Sequence, residues 1–294
     1  MALRKRRTGG LTDDQRAALR SLVADPKFEL IPLTHAPAAA EALPHGSQIT
    51  VTASPSHGIE ATLDLAEEMA DRGHVVTPHL SAHMMRDRAH LAELLDRCRD
   101  ANITRAFVVG GDAKDRGELH DGLALLRAMD ELGHPFDEIG VPGYPEGHID
   151  IDDDRLTEVL LEKQRYASAT TTQMCFNPGA IVDWIGRMRA AGMMMHVHLG
   201  TPGVADLTKL MAVSARIGIA TSARYLKKNR RMVGRLLTPG KFGPDALLEG
   251  VAPALADPAA DIDALHLFTF NQVSATVEWQ QRMLESLDGQ LVDN

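Results

Sequence analysis

Two acidic residues in this sequence stand beside runs of apolar residues, a setting in which a carboxyl group can do chemistry. Glu29 lies inside the short run 28–32, and Asp112 follows the strand-like run 107–109 and two glycines. Apolar surroundings favour the neutral form of a carboxyl group, which is the form that can donate a proton. A buried parallel strand that ends in this way delivers Asp112 to the mouth of a sheet or barrel. The alternative for Asp112 is structural, because an Asp after a strand-to-helix turn commonly caps the helix.

Polar residues also end most of the other strand-like runs. If the strands are parallel and form a barrel, their carboxyl ends share one face, where ligands bind. We therefore expect the following side chains to cluster there: His79, Tyr144, Glu146, His148, Thr172, Gln173, His196, His198, Thr269 and Asn271.

A metal site is the alternative chemistry that these residues suggest. His196 and His198 have the spacing of a metal-binding pair on one face of a strand, as in barrel amidohydrolases, but the first strand offers no matching His-x-His. Cys98 and Cys175 have no metal-ligand spacing and are interpreted as reduced core thiols of a cytoplasmic protein. We predict no metal, and a metal-dependent barrel hydrolase remains the competing class of enzyme.

The elements that must position these residues alternate between strand-like and helical patterns. An open doubly wound sheet is the alternative fold, but no Gly-x-Gly-x-x-Gly follows any strand, so a dinucleotide site of the Rossmann type is not supported. The pattern predicts an α/β protein, a (β/α)8 TIM barrel, whose strands lie at 28–32, 48–53, 75–80, 105–110, 138–143, 170–176, 194–199 and 266–270.

Helix signals support the same architecture. Thr12 with Gln15 three residues later forms a capping-box pattern, and the apolar period over 59–72 ends at Gly73, a residue typical of the position after a helix. We predict one domain, a catalytic barrel over 11–294, preceded by a flexible basic tail over 1–10.

Composition excludes several classes of function. The chain has 294 residues, a net charge of -9 and only 4% aromatic residues, so neither a nucleic-acid surface nor a base-stacking platform is expected. The basic cluster at 4–7 is not followed by the apolar segment of a secretory signal, and no apolar run is long enough to span a membrane. We expect a cytoplasmic protein.

The ordered set of strand-end motifs resembles the methylenetetrahydrofolate reductase family. Each piece is weak alone, but the pieces occur in the family's order, each at a predicted strand, and cover almost the whole chain. They are Phe28-Glu29-Leu30, Pro78-His79-Leu80, Gly111-Asp112, Gly143 to His148, Thr172-Gln173-Met174-Cys175-Phe176 and His266-Leu267-Phe268-Thr269-Phe270-Asn271.

The resemblance implies reduction of 5,10-methylenetetrahydrofolate to 5-methyltetrahydrofolate. Glu29 would protonate N10 so that the ring opens to a 5-iminium cation, and Asp112 would remain ionised and stabilise that cation. Gln173 would hydrogen-bond the amide edge of the pterin. Structural roles stay open for Glu29 as a rim carboxylate, for Gln173 as a core amide, and for His79 and His148.

Further site residues follow from the same resemblance. The substrate-binding set adds Phe176, Asn271 and Gln272 to Gln173. The cofactor-binding set comprises Thr52, His79, Gly110, Gly111, Tyr144, His148 and Lys163.

The sequence departs from the family where flavin normally binds. The Gly-rich turn after the second strand is replaced by residues 53–57, and the Arg expected directly before the Gly-Asp pair is Gly110. Only Lys163 keeps a charge on the helix that normally contacts the flavin phosphates. These losses favour a reductase without FAD that takes hydride directly from NADH or NADPH. The same reaction through bound FAD is the alternative, and the sequence does not distinguish NADH from NADPH.

The folate is expected to be polyglutamylated, with two candidate contacts for its tail. Gln272 stands where the family often has Arg, which puts that contact in doubt. A basic segment could receive the tail instead, although a solvated surface is the simpler interpretation. A non-catalytic folate-binding protein and a homo-oligomer both remain open. The residues of the basic segment are Lys227, Lys228, Arg230 and Arg231.

Overall fold

The chain folds into a closed barrel of eight parallel strands in sequence order. A computed structural model describes residues 10–111, 117–148, 150–175, 177–204 and 244–289. Every strand is hydrogen-bonded to its neighbours in sequence, and the last pairs with the first. The strands are β1 (Lys27–Leu30), β2 (Gln48–Val51), β3 (Val75–Ser81), β4 (Arg105–Val109), β5 (Glu138–Gly143), β6 (Ala169–Thr172), β7 (His196–Pro202) and β8 (Ile262–Phe268).

Helices surround the barrel, and none in the described ranges is long and apolar enough to cross a membrane. A short 3-10 helix, Ala82–Met84, follows β3. The α-helices are α1 (Asp13–Ala24), α2 (Ala36–Ala40), α3 (Gly58–Asp71), α4 (Arg88–Asp100), α5 (Gly122–Leu132), α6 (Asp153–Lys163), α7 (Pro178–Ala190), α8 (Asp245–Leu255) and α9 (Val273–Gly289).

The fold prediction is confirmed, and the strand boundaries differ mainly in the last third of the barrel. β7 begins only at His196 and extends to Pro202, and β8 begins four residues earlier than predicted, at Ile262. β6 ends at Thr172 rather than at 176. Strand ends depend on the pairing register between neighbours, which an apolar run does not encode.

The predicted helix signals are confirmed. Thr12 accepts a hydrogen bond from the Gln15 backbone and the Gln15 side chain accepts one from the Thr12 backbone, so the capping box is complete. α3 ends at Asp71 and is followed by Gly73 at a φ of 85°, a conformation that glycine adopts without steric cost.

Strand alternation divides the barrel into an apolar outer layer and a polar interior. Phe28 and Leu30 of β1 point to the helices and are almost completely buried. Lys27 and Glu29, which alternate with them along the strand, face the barrel axis and are buried there as well. Barrel interiors are usually filled by branched apolar side chains, so buried ionisable groups in this interior indicate a site rather than a packing core.

Candidate active site

The centre of the site is a contact between Glu29 and His266 inside the barrel. His266 Nε2 lies 3.2 Å from Glu29 Oε2, and the two side chains are 3% and 10% exposed. β1 and β8 are neighbours, with Glu29 in register with Phe268 and Lys27 in register with His266. The barrel thus brings together two residues that lie 237 positions apart in the chain.

Aromatic rings enclose this pair. The His79 ring packs 4.7 Å from Phe107 and 6.4 Å from His266, measured between ring centroids. The His266 ring also packs 4.7 Å from Phe268. Burial, with a smaller effect of His266, lowers the pKa of His79 to about 3, so its imidazole is neutral. His79 Nε2 is buried and has no hydrogen-bond partner among the described residues.

The chain after β8 fixes the backbone of β1 beside the carboxyl group. The Thr269 hydroxyl donates to the carbonyl oxygen of Glu29. Asn271 accepts from the Ile31 backbone N–H and donates to the Ile31 carbonyl, both at 2.9 Å. Phe270 and Asn271 have φ of 52° and 57°, a conformation that this pair of hydrogen bonds maintains. Asn271 therefore positions β1, and its contact with a folate stays a prediction.

Gln173 follows β6 at the same face of the barrel and is half-buried. Its backbone N–H donates to the Gly143 carbonyl at 2.8 Å, and its side-chain Nε2 donates to the Gly147 carbonyl at 3.3 Å. The Tyr144 ring lies edge-on to His148 at 5.2 Å. The loop after β5 therefore orients Gln173, Tyr144 and His148 together.

The two glycines after β4 make close contact with β3. The Gly110 carbonyl accepts from the His83 backbone N–H at 2.9 Å. Gly111 has a φ of 93°, and a Cβ placed on it would lie 2.0 Å from Ser81 Oγ. No larger residue fits at Gly111, because both the backbone conformation and the space exclude a side chain.

The turn after β2 is filled by its own side chains. Thr52 donates its backbone N–H to the Leu30 carbonyl at 2.9 Å. Ser54 Oγ lies 3.0 Å from Ser56 Oγ and 3.3 Å from His57 Nδ1, and Ser56 Oγ lies 2.9 Å from His57 Nδ1. The side chains of this turn therefore contact one another.

Lys163 is a buried cation at the end of α6. Its ammonium has no ion pair within the described ranges, and burial lowers its pKa, an effect that the charge of Asp121 opposes. A Cβ on Gly122, the first residue of α5, would lie 3.5 Å from Lys163 Nζ and 3.3 Å from the Gly110 nitrogen. A buried ammonium beside the positive end of a helix favours an anion.

Several predicted site residues lie outside the described residues. They are Asp112, Phe176 and the basic segment Lys227, Lys228, Arg230 and Arg231. Gln272 is described and half-buried, and its backbone N–H donates to the Thr269 carbonyl at 2.9 Å.

Comparison with known proteins gives the family. Residues 33–283 match the family described as methylenetetrahydrofolate reductase, which is most of the chain. The chain belongs to the methylenetetrahydrofolate reductase family. Reduction of methylenetetrahydrofolate is the activity that this membership supports. Glu29 lies just before the matched residues, so its role rests on its position in the barrel and not on the match.

Solved structures of other enzymes have low similarity to this chain. A 2,3-dimethylmalate lyase, a member of the PEP mutase/isocitrate lyase superfamily, is 9% identical and has a TM-score of 0.48, with 95% of this chain and 88% of that chain covered. A phosphonopyruvate hydrolase is 10% identical and has a TM-score of 0.46, with 92% and 85% covered. At these values neither structure assigns chemistry to this chain.

The expectation that His196 and His198 lie at the ligand-binding face of the barrel is wrong. β7 begins at His196, so both residues lie at the opposite end of the barrel, the floor. His196 Nδ1 lies 3.0 Å from Asp261, which raises the pKa of His196, and His198 Nε2 lies 3.4 Å from Asp263. Because β7 begins later than predicted, these two histidines lie at the floor of the barrel and not at its ligand-binding face.

The floor of the barrel is closed by a polar network. Lys27 Nζ donates to Glu138 Oε1 at 2.5 Å and lies 3.4 Å from His198 Nδ1. Burial, and then the charge of Lys27, lowers the pKa of His198 well below its usual value. Among the described residues, no group of three or more His, Cys, Asp or Glu side chains is arranged to hold a metal ion.

Sequence reasoning did not select His266 and Phe107 as site residues. Both residues lie in runs that were predicted to be strands. Only the pairing register places them on the inner face of the barrel, with His266 opposite Lys27 and Phe107 opposite His79. The alternation along β8, in which His266 and Phe268 share a face, was the signal that could have found His266.

Proposed function

We propose that this protein reduces 5,10-methylenetetrahydrofolate to 5-methyltetrahydrofolate with hydride taken directly from a reduced nicotinamide dinucleotide, without FAD. The observation that carries the proposal is Glu29, a carboxyl group buried at the mouth of a barrel of this family and in contact with His266. A proton donor at this place is what the first step of the reaction requires.

Glu29 acts on the folate before hydride arrives. Its carboxyl group gives a proton to N10, the five-membered ring opens, and N5 retains the one-carbon unit as an iminium cation. Asp112 stabilises that cation as an ionised carboxylate, and Gln173 binds the pterin, for which the hydrogen bonds from Gln173 to the β5 loop supply the orientation. Hydride then reaches the iminium carbon and forms the methyl group.

We place the phosphates of the dinucleotide beside Lys163 in this proposal. Lys163, the first turn of α5 and the closely packed backbone at Gly110 form one small region that is electrostatically suited to an anion. A reduced nicotinamide dinucleotide would supply the hydride when bound, and Lys163 would hold its phosphates. His79, Tyr144 and His148 line the same face of the barrel and are the further cofactor contacts of the proposal.

Two features support a mechanism without flavin. Gly110 stands where the family resemblance leads us to expect Arg, so a positive charge directly after β4 is missing. The turn after β2 is occupied by Ser54, Ser56 and His57, which contact one another instead of leaving an open backbone. Both features remove contacts that a flavin would use.

The decisive experiment follows the hydrogen atom that is transferred. Purified protein is checked for flavin absorbance and then given methylenetetrahydrofolate and NADH that carries deuterium on the transferring face of C4. Direct transfer places deuterium in the methyl group of the product, whereas transfer through a flavin loses it, because hydrogen on the flavin nitrogen exchanges with water. A colourless protein and a deuterated product would support the proposal. A yellow protein, or a product without deuterium, would instead support the mechanism through bound FAD.

The matched control is Glu29→Gln, which keeps the size and hydrogen bonding of the side chain but cannot donate an acidic proton. We expect its kcat to fall by about 10²-fold or more, with folate affinity almost unchanged. Folate fluorescence titration measures binding and NADH oxidation measures turnover. Full activity of the variant would show that another group protonates N10.

The glutamate tail is assigned to the basic segment by charge alone. Replacing Lys227 and Lys228 together by Glu should raise the KM for polyglutamylated folate much more than the KM for the monoglutamate, because only the longer tail is anionic along its length. Arg165→Glu, an exposed charge reversal elsewhere, is the control. Equal effects on both substrates would contradict the assignment.

A further inference from the structure

We infer that His266 and Glu29 form a dyad that holds one proton between the imidazole and the carboxyl group, and that His266 thereby keeps Glu29 supplied with the proton for N10. This inference rests on the proposed function and deepens it. It makes His266 a positioning residue, since its described contacts are with Glu29 and the surrounding rings and not with a substrate.

The geometry supports a dyad rather than an incidental contact. The distance of 3.2 Å between His266 Nε2 and Glu29 Oε2 is within hydrogen-bond range. The two side chains are only 3% and 10% exposed. The Thr269 hydroxyl fixes the Glu29 backbone, and Phe268 packs on the His266 ring. Neither partner can turn away without losing a packed neighbour.

The charged groups that face the dyad are paired with one another, and the other two histidines of the interior are neutral. Lys27 of β1 is engaged by Glu138 of β5, so the two charges offset each other. His79 of β3 and His198 of β7 face the same interior and are held neutral, because burial lowers the pKa of each. Asp263 of β8 and Arg105 of β4 lie at the floor, where Asp263 contacts His198 and Arg105 contacts Glu138. When Glu29 and His266 together carry no net charge, they hold one more proton than a Glu29 carboxylate beside a neutral His266 imidazole does.

The proton balance of one turnover is as follows. The O–H bond of Glu29 breaks as its proton forms a bond to N10, which leaves a carboxylate beside neutral His266. One proton from solvent then returns to the dyad, either to the imidazole, which passes its Nε2 proton to Glu29, or to the carboxylate itself. The hydride donor is oxidised, the iminium carbon is reduced, and one proton is consumed in each cycle.

The test compares His266→Gln with wild type across pH. Gln can still donate a hydrogen bond to Glu29 but cannot store a proton. We expect the alkaline limb of kcat to move to lower pH, with a loss at least about tenfold greater at high pH than at low pH. The KM for folate should change little. His45→Gln, on the exposed surface, should leave the profile unchanged. An equal loss at every pH would show that His266 only packs and would overturn the inference.

A second measurement does not depend on activity or on the folding of the His266 variant. In wild type with ¹⁵N-labelled histidine, the His266 resonances are those that shift in Glu29→Gln. Their titration should be displaced when Glu29 can no longer hold a proton, which would support the dyad even if NADH oxidation failed. Titration that is the same with Glu or Gln at position 29 would overturn it. Absent reductase activity with a coupled titration would refute the proposed function alone.

Discussion

At the residue scale, burial decides which ionisable groups of this barrel carry charge. His79 is neutral because the interior does not solvate its cation, and the same burial lowers the pKa of the Lys163 ammonium. The two residues differ in their partners. Lys163 lies beside the amino end of α5, where Asp121 is the N-cap and its charge opposes the lowering of the pKa of Lys163. His79 packs on Phe107 and contributes a ring to the wall of the site.

Replacing Lys163 by Met tests its role at this scale. Met keeps the length of the side chain and removes the charge, so we expect the KM for the nicotinamide dinucleotide to rise by about tenfold while the KM for folate stays close to wild type. Steady-state NADH oxidation measures both constants. Arg165→Met, an exposed neighbour, provides the control for loss of a cation. An unchanged dinucleotide KM would remove Lys163 from the cofactor site.

At the scale of elements, the ends of the strands hold the site through backbone contacts between neighbours. β4 approaches β3 at Gly111 and Ser81, and β8 is tied to β1 through Asn271 and Ile31. Such contacts are possible only where the chain adopts a positive φ or lacks a side chain. The loops that carry the site are therefore fixed by a few residues at strand ends, and not by the helices that follow.

The approach of β4 to β3 predicts the behaviour of Gly111→Ala. The new Cβ would lie 2.0 Å from Ser81 Oγ at a φ of 93°, so the free energy of unfolding should fall by about 1–3 kcal/mol. Adding Ser81→Ala removes the hydroxyl and should restore part of that loss, because the remaining distance to the Ser81 Cβ is 3.3 Å. Urea unfolding of the single and double variants measures the coupling. Purely additive effects would contradict this packing.

At the scale of the whole molecule, a polar interior makes stability depend on pH. His79 and His198 are both neutral in the folded barrel, yet both can bind a proton when the chain unfolds. Between pH 6.5 and about 3, the unfolded chain therefore binds more protons at His79 than the folded protein does, and stability falls as the pH is lowered. His196 acts in the opposite direction, since its raised pKa adds stability below 6.5 that is lost at higher pH.

The slope of stability against pH tests this account. Each histidine that is neutral in the folded state contributes up to about 1.4 kcal/mol per pH unit, so His79→Gln should have a shallower fall in the free energy of unfolding below pH 6.5 than wild type. Urea unfolding at several pH values gives the slope, which is independent of any constant loss of packing. His35→Gln, on the exposed surface, should keep the wild-type slope. Parallel curves for His79→Gln and wild type would refute the argument.

The sequence by itself determined the architecture and much of the face where the site lies. The apolar runs predicted all eight strands of the barrel, and Glu29, His79, Tyr144, His148 and Gln173 were located through the motifs that follow those strands. These features are local, because alternation, capping and turn residues are encoded within a few positions of each other.

Only the tertiary structure decided which residues meet. The partner of Glu29 is His266, and the approach of the two side chains depends on the closure of β8 onto β1. His196 and His198 belong to the floor because the register of β7 with β8 sets where the strand begins. Lys163 was selected from the sequence, but only the packing of α6 against the start of α5 brings its ammonium close to Gly122. Barrel closure and strand register are long-range properties, and no local pattern of residues specifies them.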